Sequence, residues 1–168
     1  MTGRPDRALT TDSGLRVALR PLAAEDEEFA LRVFAAVRGA QFRQAGLPGP
    51  EVERLLALQR RAQLDQYRTR FPNADLDVVL ADHVAVGYLH VDRGDGKYVL
   101  IDVALLPEAS GQGIGSCLIV DLLREAALDG KPVAAHVEKH NPAARLWQRL
   151  GFVVIADDGV YLELEASS

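Results

Sequence analysis

Residues 105–126 read LLPEASGQGIGSCLIVDLLREA, with Gly111, Gly113 and Gly115 alternating between an apolar run and an amphipathic one. Glycine takes a positive φ without strain and admits a second backbone or a ligand where a Cβ would collide. At the mouth of a helix such a loop leaves N–H groups with no intrahelical acceptor at the positive end of the helix dipole, which is the chemistry of a phosphate cradle. A turn that only had to be tight would need one glycine, not three. Two other glycine patterns do not fit. A dinucleotide fingerprint needs glycine at Ser116 or at Leu118, and a P-loop needs a Gly-Lys-Ser/Thr ending that this segment lacks.

The remaining chemistry-bearing residues exclude more than they suggest. Cys117 is the single cysteine, so no intrachain disulfide is available, and the four histidines form no Cys/His cluster of metal-ligand spacing. No metal is expected. Cys117 falls inside the amphipathic run and reads as a small packing residue. A net charge of −5 and a sequence pI near 5.4 disfavour a general nucleic-acid binder. Arginines nevertheless crowd the first half (Arg32, Arg38, Arg43, Arg54, Arg60, Arg61, Arg68 and Arg70), as solvated helix faces or as a basic lip for an anionic ligand. No stretch approaches the roughly 18 apolar residues of a spanning helix, so no membrane partner is expected. Residues 1–13 read as a flexible leader without a secretory signature, which places the chain in the cytoplasm.

The elements that must carry these residues follow from periodicity. Leu15 to Pro21 alternates as a strand. A helix follows, with Phe29, Val33, Phe34 and Val37 behind an acidic first turn, and then a second helix over Glu51 to Arg70. Period two then takes over in LDVVLA, VAVGYLHVD and KYVLIDVALLP, three strands joined by short turns. A helix over 114–128, a buried strand over 133–138, a short helix with Pro142 in its first turn, and strands FVVIA and VYLELE complete the chain. At 168 residues this is one domain, residues 14–168, of mixed α/β class: a twisted mixed sheet of about seven strands flanked by about four helices. Strands 98–106 and 133–138, joined through the helix over 114–128, should be parallel. Strand 160–165 is read as an edge, which makes a homodimer an expectation.

The segment IDVALLPEASGQGIGSCLIVDLLREA, followed by VEKHNPAARLWQRLGF, resembles the coenzyme A binding core of the GNAT N-acetyltransferase superfamily, and the element order matches from about Leu15 onward. The resemblance implies an acetyl-CoA-dependent N-acetyltransferase acting on an amine, either a small molecule or a peptide N-terminus, by direct attack in a ternary complex. It assigns Val103, Ala104 and Leu105 to main-chain pairing with the pantetheine arm, Gly111, Gln112, Gly113, Ile114, Gly115 and Ser116 to the pyrophosphate, and Asn141 to the thiol end. Two positions depart from the family pattern. Ser110 stands where the family has arginine or glutamine, and Trp147 where it often has the tyrosine that protonates the departing thiolate. An indole N–H is no practical proton source.

On this resemblance the demanding step is removing a proton from the acceptor, because an alkylamine with a pKa of about 10.4 is protonated at neutral pH. Glu138 and His136, which share a face of strand 133–138, and Asp102 on the neighbouring strand are the candidate proton acceptors. Gln59, Gln63, Gln66, Tyr67, Tyr88, His90 and Tyr161 are candidate walls for the acceptor. The arginine-rich helices disfavour a polycation. Ser110 and Trp147 keep two alternatives open: an acyl-CoA-binding module without transferase activity, or transfer with another donor or nucleophile.

Overall fold

The computed structural model describes residues 7–46, 48–141 and 143–167, with only the backbone of Ala40, Gln41 and Arg43. Among the described residues, eight strands form one sheet. They are β1 (Ala8–Thr10), β2 (Arg16–Pro21), β3 (Asp75–Ala81), β4 (Val84–Arg93), β5 (Tyr98–Leu105), β6 (Val133–Glu138), β7 (Val153–Asp157) and β8 (Tyr161–Ala166), in spatial order β1-β2-β3-β4-β5-β6-β8-β7. All neighbours are antiparallel except β5 and β6. The helices are α1 (Glu27–Gln44), α2 (Gly49–Arg70), α3 (Ile114–Leu128) and α4 (Ala144–Arg149).

Each face of the sheet has its own core. On one face α3 presents Ile114, Leu118, Ile119, Leu122 and Ala126, all buried, to Leu89, Val91, Leu100, Val133, Ala135 and Val137. The four large aliphatic side chains of this stripe each contribute roughly 1.5–3 kcal/mol by leaving water. α4 closes the same face through Trp147, whose ring meets Phe152 edge-on at 5.1 Å. On the opposite face α1 sets Ala30 and Val33 against Tyr88 and Ala104. α2 packs on α1 through Val52 and Leu56 against Phe34 and reaches the same sheet face with Arg60 and Tyr67.

Three differences from the sequence pattern appear. Residues 8–10, placed in the leader, pair with β2 as an edge strand. The sheet therefore has eight strands where about seven were expected. β8 is not an edge, because the β7–β8 hairpin docks through β8, which pairs with β6 from Val133↔Ala166 to Glu138↔Tyr161 and leaves β7 outermost. Tight-turn chemistry identifies a hairpin but not which of its strands joins the sheet.

Candidate active site

The central feature is an opening between the two parallel strands. β5 and β6 pair only over Tyr98↔Val133, Val99↔Ala134 and Leu100↔Ala135, although both continue for several residues. A bulge coincides with the end of pairing: Val91 faces Leu100 and His90 faces Asp102, so Ile101 is an extra residue on β5. Bulges bend the strand that carries them and occur beside active sites. This one also reverses the alternation of side chains. Tyr98 and Leu100 point into the α3 core, whereas beyond Ile101 it is Val103 and Leu105 that pack there, and Ala104 joins the α1 core. Asp102, in step with Ala104, is thereby turned to the α1 and α2 face.

The bulge also decides what the main chain offers. Leu106 N–H donates to Val86 O at 2.8 Å, so Leu106 and Val86 are a hydrogen-bonded pair and Gly87↔Leu105 and Leu89↔Val103 are non-bonded ones. In an antiparallel ladder the residues of a non-bonded pair turn N–H and C=O away from each other. Val103 and Leu105 thus turn these groups toward the opening, as a strand edge that an extended ligand could join, although Val103 N–H also bonds to the Asp102 carboxylate.

The glycine loop lies where β5 hands over to α3. Gly111 and Gly113 have φ of 76° and 80°, the left-handed region, and Gly113 caps the helix without any side-chain bond. The first backbone bond of the helix runs from Cys117 N–H to Gly113 O at 3.0 Å, so the N–H groups of Ile114, Gly115 and Ser116 have no intrahelical acceptor. Gly115 differs from its neighbours. Its φ is ordinary, and a Cβ there would meet only Leu105 Cδ1, at 3.9 Å, so protein packing does not require a glycine. Gln112 folds back, its Nε2 donating to Glu108 O at 3.0 Å.

On the α1 and α2 side the opening is rich in aromatic and charged groups. Tyr88 O–H donates to Asp102 Oδ2 at 3.3 Å. Burial raises the Asp102 pKa above its usual 3.8, against the opposing fields of Arg38 and Arg60 and the Tyr88 bond. Burial raises Tyr88 as well and pushes Tyr67 up to about 12, with the Asp102 charge adding to both. His90, edge-on to Tyr67 at 5.5 Å, is lowered to about 4 by burial and by the charges of Arg60 and Arg68, and so is neutral at pH 7. On the β6 arm His136 and Glu138 are exposed, and His136 stacks on Tyr161 at 5.0 Å.

A strand pair that parts at a bulge, with a glycine loop opening the helix between its members, can be compared with known proteins. A model of the acetyltransferase (GNAT) domain matches residues 74–154, the span from β3 to the start of β7 that contains both strands, the loop and α4. The chain has the fold of the GNAT acetyltransferases. Its fold superposes on the PaiA N-acetyltransferase of Thermoplasma acidophilum in complex with coenzyme A with a TM-score of 0.66, at 18% identity over 90% of this chain and 99% of that one. An acetyltransferase of Thermus thermophilus gives 0.61 at 22% identity, over 95% and 97%.

Within this fold the expected residues fall into groups. Val103, Ala104 and Leu105 line one arm of the opening, and Gly111 to Ser116 form the loop at its base. Asn141 is tied up locally, its Oδ1 accepting from Ala143 N–H at 2.9 Å in the turn ahead of α4; Pro142 lies outside the described residues. Trp147 is 5% exposed and belongs to the α3 core, away from the face that holds Asp102. Of the candidate walls, Tyr67, Tyr88 and His90 gather on the α1 and α2 face and Tyr161 on the β6 arm, whereas Gln59 and Gln66 are exposed. Cys117 is half-buried with its thiol pKa raised by burial, and Sγ points to Thr10 O at 3.7 Å. One residue was named only as a member of the arginine cluster and not singled out: Arg60, buried at the end of the Val52–Leu56 stripe. The four-residue spacing from Leu56 was the available signal, masked by the many arginines around it.

Proposed function

We propose that the chain transfers the acetyl group of acetyl-CoA to an amine by direct attack in a ternary complex. The observation that carries this reading is the pairing of β5 with β6 that stops at Leu100↔Ala135, directly ahead of a helix N-terminus with free amides. The residues present fit the cosubstrate: the space beside Gly115 is one a Cβ would occupy, and oriented amides at a helix start suit a diphosphate. Ile114, Gly115 and Ser116 take the pyrophosphate through their N–H groups. Val103 and Leu105 pair with the pantetheine amides, and Asn141 keeps its Nδ2 for the thiol end. With Ser110 in place of a long cationic or amide side chain, the loop holds the phosphates mainly by its main chain.

Acetyl-CoA, once bound, supplies an activated acyl group whose thiol, with a pKa of about 8.5, departs without strong acid assistance. Leu105 N–H, directed into the opening, polarises the reacting carbonyl. Asp102 accepts the proton of the incoming ammonium, directly or through water: its raised pKa brings a carboxylate closer to the pH at which it must work. His136 and Glu138 form the opposite wall and are the alternative acceptors. Holding both reactants in one opening contributes the rest. Direct attack needs no metal, and the chain acts in the cytoplasm, where acetyl-CoA is at hand.

A second reading, an acyl-CoA-binding module without turnover, is favoured by the burial of Trp147 in the α3 core, which leaves no side chain at that position to protonate the thiolate. Calorimetric titration with acetyl-CoA and CoA, followed by thiol-release assays against a panel of amines, separates the two. The proposal expects binding and thiol release that depends on an acceptor. Binding without release from any amine supports the module, and no binding removes both.

A further inference from the structure

Arg60 is 4% exposed, and its Nη2 is buried with no hydrogen-bond partner among the described residues. It follows Val52 and Leu56 at four-residue steps on α2, so it occupies a position where an apolar side chain would extend the stripe. Its Cζ lies 5.0 Å from the centre of the Tyr88 ring and 6.0 Å from that of Phe34. The Tyr88 hydroxyl reaches Asp102, so a single phenol separates this guanidinium from the proposed proton acceptor. Arg38 also lies over the Phe34 ring, 5.4 Å from its centre. The charges of Arg38 and Arg60 act together on Tyr88 and Asp102.

A guanidinium keeps its charge in any protein and carries five donors in a rigid plane. Aromatic rings stabilise the cation through their faces but accept none of those hydrogen bonds. Burying such a group without a partner is unfavourable, and a hydrophobic residue of similar volume would usually serve structure better. A planar anion that meets the fork with two parallel bonds removes the penalty.

We propose that Arg60, assisted by Arg38, binds a carboxylate carried by the acyl acceptor, so that the acceptor is an amino acid or another amine bearing a nearby carboxylate, not a polycation. The proposal rests on the acetyl-transfer reading of the same site. It places the acceptor's amine toward Asp102 and its anionic end toward α2, with Tyr88 between them.

The test uses the whole chain, acetyl-CoA and matched acceptor sets, in which each amino acid is compared with its carboxamide and its decarboxylated amine. The carboxylate member should be used with a kcat/KM about 10- to 100-fold higher, the range of charge-assisted hydrogen bonds. Arg60→Met should abolish that preference through KM for the carboxylate member alone, leave the CoA dissociation constant unchanged, and keep or raise Tm. Arg60→Lys should restore part of the preference. Equal rates within each set overturn the proposal, as does an Arg60→Met protein that loses Tm but keeps the preference. Thermal-shift titration with the same sets, without acetyl-CoA, separates the two readings. If no amine is acetylated but amino acids stabilise the wild type and not Arg60→Met, the carboxylate subsite stands and acetyl transfer falls. If turnover is observed without any carboxylate preference, acetyl transfer stands and the subsite falls.

Discussion

Gly115 is the residue at which cofactor binding and folding separate. Gly113 holds a φ of 80°, so a branched side chain there strains the backbone whatever it does to a ligand, and a loss of affinity would have two causes. Gly115 has no such constraint and open space beside it. Gly115→Ala should leave Tm unchanged or raised by a fraction of the roughly 1 kcal/mol helix preference, while raising the acetyl-CoA dissociation constant at least about tenfold as the methyl group enters the cradle. Titration calorimetry and thermal unfolding of one variant check both. Asp102 makes the opposite pairing of effects. Its raised pKa means that the folded state binds the proton more tightly than the unfolded chain, so this group opposes stability as pH rises above its ordinary 3.8. Asp102→Asn should therefore unfold at a higher temperature at pH 7, yet lose about 10²- to 10⁴-fold in kcat with CoA binding intact. A fall in Tm, or unchanged kcat, would remove Asp102 from its role. The sequence ranked Glu138 and His136 ahead of Asp102 because strand alternation alone puts them on one face. It did not show that Asp102 would be the half-buried candidate turned to the α1 and α2 face, since that follows from one inserted residue, Ile101.

The elements themselves were mostly legible. The α3 helix occupies the range its periodicity indicates, residues 114–128, because a strong apolar stripe and the following Asp129-Gly130 turn agree. What periodicity cannot express is pairing. It did not reveal the bulge, the parting of β5 from β6, or the exchange of β7 and β8 at the sheet edge, all of which depend on partners distant in sequence. Gly87 shows how closely β4 must approach the functional part of β5: a Cβ there would lie 2.1 Å from Ala104 O and 2.8 Å from Leu105 Cδ2. Gly87→Ala must push residues 104 and 105 out of place. The expected result is a loss of about 1–3 kcal/mol in chemical unfolding, together with weaker acetyl-CoA binding by titration. Weaker CoA binding would not follow if these residues served only the sheet.

For the whole molecule, composition described the average and missed the distribution. A net charge of −5 coexists with a face on which α1 and α2 bring Arg38 and Arg60 toward the opening. The global charge disfavours polyanions such as nucleic acid, yet it says nothing about one anionic group in one chamber. One contribution to stability toward acid lies at the junction of β2 with the turn before α1. There Asp26 accepts bonds from Arg20 at 2.6 and 2.8 Å and from Ala23 N–H, which hold its pKa at about 2 instead of 3.8. A lowered carboxylate contributes stability that is complete above the unfolded value and lost as pH falls through the folded one. Urea unfolding between those two pH values should show stability decreasing with acidification, and Asp26→Asn should flatten that slope. An unaltered slope would mean that the Arg20 pair adds nothing.

Every proposed role depends on where the diphosphate of the cosubstrate sits. Titrating 15N-labelled protein with CoA and following the backbone amides tests this most directly. The largest shifts should fall on residues 111–116, with a second group at Val103 and Leu105. Shifts centred anywhere else, or none at saturating CoA, would contradict it.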